Sequence, residues 1–268
     1  MSATDVLTGA TAGPEIRSTA HVPFTRLVRV ELRKTVDTRA GRWLLLSIAG
    51  LTVAAMVLFL IFAHDRDLTF GNFIGLSATP QGFLLPVLGI LAVTSEWSQR
   101  TGLVTFTLEP RRGRALSAKV AAVLVLGLIF VVLLFACAVV GNLLAEGLRG
   151  GQGDWDFGGD DVVRVLVLQL MGLLGGLAFG TVLLNSAPAI VLSFVLPLAV
   201  SILFEIIPGL RDSAPWIDIN TAQEPLFDFA TTVTSREWTQ LLVTSLWWIW
   251  LPLAAGVTRV LRSELKSA

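Results

Sequence analysis

Six stretches of this chain, residues 43–62, 72–94, 119–144, 162–184, 187–207 and 238–260, are apolar over twenty residues or so, and nothing else in the sequence restricts its fold as much. A hydrocarbon core of about 30 Å is crossed by roughly 20 helical residues. Lipid offers no hydrogen bonds, so a spanning segment must satisfy its own backbone, as a helix or within a closed barrel. The six runs lack the apolar-out, polar-in alternation of barrel strands. The expected fold is therefore an all-α integral membrane protein of six transmembrane helices. Hydrophobic residues make up 54% of the chain and charged ones 15%, with mean hydropathy +0.74, which leaves little material for a separate soluble domain. The second stretch carries Ser77, Thr79, Pro80 and Gln81 in its first half, which predicts an outer end that is either broken or turned toward protein.

Six crossings put both termini on one side, and the charges assign the side. The arm before the first stretch, the loop 95–118 with Lys119, and the C-terminal tail hold 15 of the 20 basic residues. The opposite connections hold only Arg66, Arg149, Arg164, Arg211 and Arg236, yet carry 13 of the 20 acidic residues. The first set is expected to be cytoplasmic. Residues 1–22, rich in Ser, Thr, Ala and Gly and without the apolar core of a secretory signal, read as a disordered cytoplasmic tail. Trp43, Trp97 and Trp238 fall at predicted span ends, where indoles favour the interface.

Reactive constellations are scarce. The only histidines are His21 and His64, so no HExxH motif or clustered metal-ligand set exists. Neither a GxxxxGK[ST] phosphate loop nor a GxSxG elbow occurs. The formal net charge is zero, which gives no basis for nucleic-acid binding. Asp154, Asp156, Asp160 and Asp161 lack the spacing of an EF-hand loop and read as a solvated loop that helps set topology. Cys137 lies inside an apolar run and reads as a small packed hydrophobe.

Within the spans, Lys119 and Arg164 are expected to start their helices and snorkel, and Glu205 to sit about one turn from the outer end of the fifth. Ser193, Pro197, Ser201 and Glu205 recur every fourth residue and share one face. That face reads equally as the lining of a path or as a helix contact satisfied by serine hydroxyls. Gly172, Gly176 and Gly180, with Gly175 beside them, form a packing face for a neighbour in the same chain or in a second subunit. Pro86, Pro197 and Pro252 lie inside predicted spans.

Two elements remain on the basic side. Residues 24–42 form an amphipathic interfacial helix, with Phe24, Leu27, Val28, Leu32 and Val36 opposite Arg26, Arg29, Arg33 and Asp37, and basic groups near lipid headgroups. Glu31 falls on its apolar side, either buried against protein or snorkelling. Residues 95–119 join spans two and three through a short amphipathic stretch and a basic turn. The stretch ELRKTVDTR at 31–39 is similar to the ELxK-containing connecting helix of the ABC-2 type permeases. Glu96, then Arg100, Thr101 and Gly102, then Glu109, Pro110, Arg111, Arg112, Gly113 and Arg114, ending at Lys119, resemble that family's loop between spans two and three. Thr101-Gly102 stands where Gly-Thr is commoner.

The resemblance implies ABC-2 type exporter architecture over residues 23–268, in the cytoplasmic membrane of a bacterium. It implies a connecting helix at 24–42, a coupling loop at 95–119, and an outer re-entrant region at 208–237. It further implies an ABC ATPase subunit as partner, which would bind ATP and Mg and leave this chain no enzyme itself. Coupling to that ATPase would involve Glu31, Lys34, Glu96, Arg100, Thr101, Gly102, Glu109, Pro110, Arg111, Arg112 and Arg114. A second permease copy, identical or not, would complete a substrate path lined chiefly by spans two and five, with Gln81, Phe83, Ser193, Pro197, Ser201 and Glu205. The cargo class, drug, lipid, peptide or glycan, is left open. The alternative reading is a membrane scaffold or sensor that docks a soluble partner without transport. A lipid-modifying intramembrane enzyme would need a reactive cluster in the spans, and none is visible.

Overall fold

The computed structural model describes residues 22–98, 111–150 and 155–262. Their regular structure is helical: α1 (Phe24–Asp37), α2 (Arg39–Phe62), α3 (Phe70–Ser98), α4 (Arg112–Arg149), α5 (Gly159–Leu183), α6 (Ser186–Ile206), α7 (Ala214–Ile217), α8 (Ile219–Phe227), α9 (Ser235–Ser245) and α10 (Leu251–Arg262). A π-helical turn, Leu246–Trp250, joins α9 and α10 into one continuous rod. Six of these elements are long and apolar enough to cross a membrane: α2 to α6 and the rod Ser235–Arg262. We call the end carrying α1 proximal and the other distal.

The helix boundaries correct two expectations and decide a third between its two alternatives. First, the amphipathic helix does not run to residue 42. It stops at Asp37, Thr38 is extended (φ −75°, ψ 143°), and residues 39–42 already belong to α2. Thr38 Oγ1 accepts from the Gly41 amide at 3.1 Å and so caps α2. A Cβ on Gly41 would stand 1.8 Å from the Thr35 carbonyl oxygen, so the kink between α1 and α2 requires glycine there.

Second, α3 is unbroken despite Pro80 and Pro86. Its polar half faces protein. Ser77 and Gln81 are fully buried, and Gln81 Nε2 donates to Phe130 O at 2.9 Å and to Thr52 Oγ1 at 3.3 Å.

Third, neither Lys119 nor Arg164 snorkels. α4 begins at Arg112, which leaves Lys119 buried two turns inside it. Arg164 is 3% exposed and donates to Asp228 O at 2.9 Å and Thr231 O at 2.7 Å, holding the chain that leads into α9. α9 itself starts at a capping box, with Thr234 and Glu237 exchanging hydrogen bonds.

The centre of the bundle is the pair α3 and α5. Gly172, Gly176 and Gly180 lie along this contact, so the neighbour of the glycine face is in the same chain. A Cβ on Gly176 would fall 1.9 Å from Pro86 O, and one on Gly180 would fall 3.1 Å from Ile90 Cα. Gly89 returns the approach, its own Cβ position lying 2.4 Å from Leu173 O. Glycine on both sides lets the two backbones touch, which is how helices associate where lipid supplies no hydrophobic drive. Around this pair the proximal core gathers Ile48, Leu85, Leu88, Val123, Phe130 and Leu177. The distal core holds Met56, Phe73, Leu134 and Cys137, closed by a ring cluster in which Phe157 meets Phe70 edge-on at 5.4 Å. Cys137 is thus packed as a small hydrophobe.

The distal end of α2 is capped from another helix. Arg149 NH1 donates to Leu60 O at 2.7 Å, Ala63 O at 2.9 Å and Ile61 O at 3.2 Å, and NH2 pairs with Asp65 Oδ1 at 2.8 Å. These carbonyls belong to the last turn of α2 and would otherwise lack partners. Arg149→Ala is expected to lower stability by about 1–3 kcal/mol, and Arg149→Lys, which keeps the charge but loses the fork, to recover only part of it. Thermal unfolding of the purified protein in detergent measures both.

Candidate functional site

The most organised polar group lies at the proximal end, where α1, the end of α3 and the start of α4 meet. Glu31 is at the centre of the inward face of α1, with Leu27, Val28 and Leu32 half-buried around it. Phe24 and Val36, expected on the same apolar face, are exposed. Glu31, Glu96 and Lys119 are 8%, 6% and 7% exposed. Lys119 Nζ lies 2.7 Å from Glu31 Oε2 and 3.2 Å from Glu96 Oε1. Lys34 Nζ lies 2.7 Å from Glu31 Oε1 and 3.0 Å from Glu96 Oε1. Two carboxylates and two ammonium groups thus alternate in a ring that joins three helices.

Burial alone would push the Lys34 ammonium down, but the hydrogen bond and charge of Glu31, with those of Glu96, outweigh it and hold Lys34 above its ordinary 10.5. A cation with a raised folded-state value stabilises fully below the unfolded value and loses that contribution only as pH climbs through the folded one. The Lys34 contribution therefore persists through neutral and mildly alkaline conditions. Lys34 is the most open member, its side chain 40% exposed.

The geometry divides the residues expected to couple to an ATPase. Glu31 and Glu96 face each other inside the bundle and present no docking surface; they fix the angle of α1 against α3 and α4. Arg114 is half-buried and donates to the Val22 carbonyl, tying the entry of α1 to α4. The outward charges are Arg26, Arg29 and Arg33 on α1 and Arg111 before α4, all exposed. Arg100, Thr101, Gly102, Glu109 and Pro110 lie outside the described residues, as does the side chain of Arg112. Lys119 is the member that sequence reasoning underrated. It stood at the end of the quoted loop pattern, but a lysine at a helix start reads as a snorkelling group until the helix is seen to begin earlier.

The residues expected along a path are not on one surface. Gln81 points between α2 and α4, away from α6. Phe83 is 61% exposed and meets Phe194 of α6 at 6.2 Å between ring centroids. Ser193 and Pro197 line a partly open cavity of about 160 Å³ between α3, α5, α6, α8 and the π turn. Ser201 makes a helix contact: its hydroxyl donates to Asp218 Oδ1 at 2.9 Å and accepts from Asn220 Nδ2 at 2.9 Å. Glu205 is exposed, and its carbonyl oxygen accepts from Arg211. The helix-contact reading therefore holds at Ser201, while Ser193 and Pro197 border a cavity.

Segment 208–237, expected as an outer re-entrant region, folds as a 3-10 turn, Pro208–Ser213, followed by α7 and α8. Asp218, fully buried, caps α8 by accepting from the Asn220 and Thr221 amides and from Thr221 Oγ1 at 2.6 Å. Trp248 Nε1 donates to Ile217 O at 2.7 Å, which binds the segment to the π turn. Sequence reasoning missed this role of Asp218, although Asp is among the residue types favoured at a helix N-cap. Set against known proteins, the chain matches no family model and no curated sequence.

Proposed function

We propose that this chain is the membrane-spanning permease subunit of an ATP-driven ABC exporter of ABC-2 type, with both termini cytoplasmic in a bacterial plasma membrane. The observation that carries this reading is the buried Glu31–Lys34–Glu96–Lys119 set. It fastens α1 to the two helices that flank residues 99–110, so that a load applied to those residues is delivered to α1, α3 and α4 as one block. An ABC ATPase subunit would supply ATP and Mg chemistry; this chain would supply the moving helices. A second permease copy would pair with it, and the exposed apolar faces of α2 and α6 offer surface for lipid or for that copy. Cargo of the drug, lipid, peptide or glycan class would leave along α3 and α6.

The test is co-purification with the ABC ATPase encoded beside this chain, followed by reconstitution in vesicles. Joint reversal of the exposed Arg26, Arg29 and Arg111 to Glu is expected to abolish assembly while the thermal midpoint of the permease holds. Glu96 is unsuited to this purpose because its burial would unfold the bundle instead. An ATPase that neither binds the chain nor changes its turnover on reconstitution would sink the reading. A partner whose ATPase-dead form leaves the phenotype intact would point to the scaffold role.

A further inference from the structure

The cavity bordered by α3, α5, α6, α8 and the π turn lies near the midpoints of α3 and α6, and its walls are mostly apolar. Gly82, Gly172 and Gly175 leave its floor bare, and Phe179, Phe194 and Trp248 stand around it. Three polar side chains border it, and the Trp248 indole N–H is taken by Ile217 O. Ser193 Oγ donates to Ile190 O at 2.9 Å, and Gln223 Nε2 faces the Met171 sulfur at 3.9 Å. A water needs two or more polar partners, and this lining offers few. Its 160 Å³ matches the size of apolar cavities that take up a benzene-sized group. The π turn contributes Trp248 and Ile249 to the wall, and such turns inside helices are concentrated at functional sites.

We infer that this cavity is a binding site for the terminal part of a phospholipid acyl chain. An empty apolar void forfeits dispersion contacts along its whole lining, and a hydrocarbon chain restores them without any gain from leaving water. The source is adjacent. Phe194 is in ring contact with Phe83, which is exposed on the bundle surface, and Val191, Val195 and Leu198 of the same helix α6 are exposed too. Acyl termini gather at the bilayer midplane, the depth at which the cavity lies between these helices. The inference does not depend on a transport function.

The glycines supply the test. A Cβ added at Gly82 or Gly175 meets nothing within 4 Å, so larger residues there grow into the cavity without touching backbone. The full chain is placed in nanodiscs of phosphatidylcholine containing an analogue with a diazirine at its acyl terminus, irradiated, and mapped by mass spectrometry. Adducts are expected on Phe179, Phe194 and Trp248. Gly175→Leu and, separately, Gly82→Leu should each lower them about tenfold, and Gly175→Ala by less. Adducts on the exposed Leu51 and Leu58 of α2 should not change, and Gly50→Leu, on the exposed side of α2, should alter neither group. Thermal midpoints and elution profiles identify folded variants, with the smaller Gly175→Ala as the safeguard. Adducts confined to α2, or cavity adducts indifferent to all filling variants, would overturn the site. Cavity labelling by a free benzene-sized diazirine but not by the phospholipid would overturn the acyl chain as occupant.

Discussion

Gly176→Ala is expected to destabilise the bundle by about 3 kcal/mol or more, while Gly175→Ala, one residue away on the same helix, changes stability by roughly 0.5 kcal/mol or improves it slightly. The first substitution puts a methyl group 1.9 Å from Pro86 O, a backbone atom that moves only if α3 and α5 separate. The second adds the same methyl group where nothing lies within 4 Å. Helix propensity favours alanine equally at both, so the difference isolates the helix contact. Equilibrium unfolding in mixed detergent micelles reads it, and equal values for the two variants would contradict the backbone contact.

Lys119→Met is expected to cost about 3–5 kcal/mol, because it removes the buried cation that bonds both Glu31 and Glu96 and leaves Lys34, itself partly solvated, as their shared partner among the described residues. Glu96→Leu alone should cost a comparable amount by stranding the buried Lys119 beside a single carboxylate. The double variant Glu96→Leu/Lys119→Met keeps the 2.7 Å pair of Lys34 with Glu31 and restores neutrality, so it should recover most of the loss. A buried ion pair replaced by apolar groups is often near neutral in stability, whereas a half-removed one is not. Lys34→Ala should be the mildest single change, given its exposure and solvent screening. If the double variant is as unstable as the sum of the singles, the four groups do not act as a set.

These two sites differ in how far they can be read from residues alone. The Gly172, Gly176 and Gly180 interval already identifies a close-packed face, because only glycine repeated every fourth residue bares a strip of helix backbone. That strip does not name its neighbour. Pro86 O and Gly89, which receive it, carry no signal of their own within a long apolar run. The ion set is the opposite case. Glu31 on the apolar side of α1 is anomalous in sequence, and Glu96 ends a span, but neither position says which cation answers it across 88 or 62 residues of chain. Lys119 was misread because helix starts are poorly fixed by hydropathy: the seven residues before it are polar enough to look like loop, yet they are helical.

The cavity and the buried Asp218 were less legible still. Trp248 enters the cavity wall through a π turn, which shifts side-chain phase in a way no regular period anticipates. Gln81 was assigned to a path because polar residues in spans attract that reading, and the fold turned it inward to Thr52 and Phe130 instead.

What the sequence determined by itself is the set of six apolar helices and the segregation of charge between their ends. Both follow from chain-local physics: backbone groups must be satisfied inside each segment in lipid, and charged side chains must stay near water. What only the tertiary structure decided is which helices touch and which polar groups meet. Every apolar face is equally content with lipid or with another helix, so the choice rests on backbone approach at a few glycines and on buried charges that need opposite charges beside them.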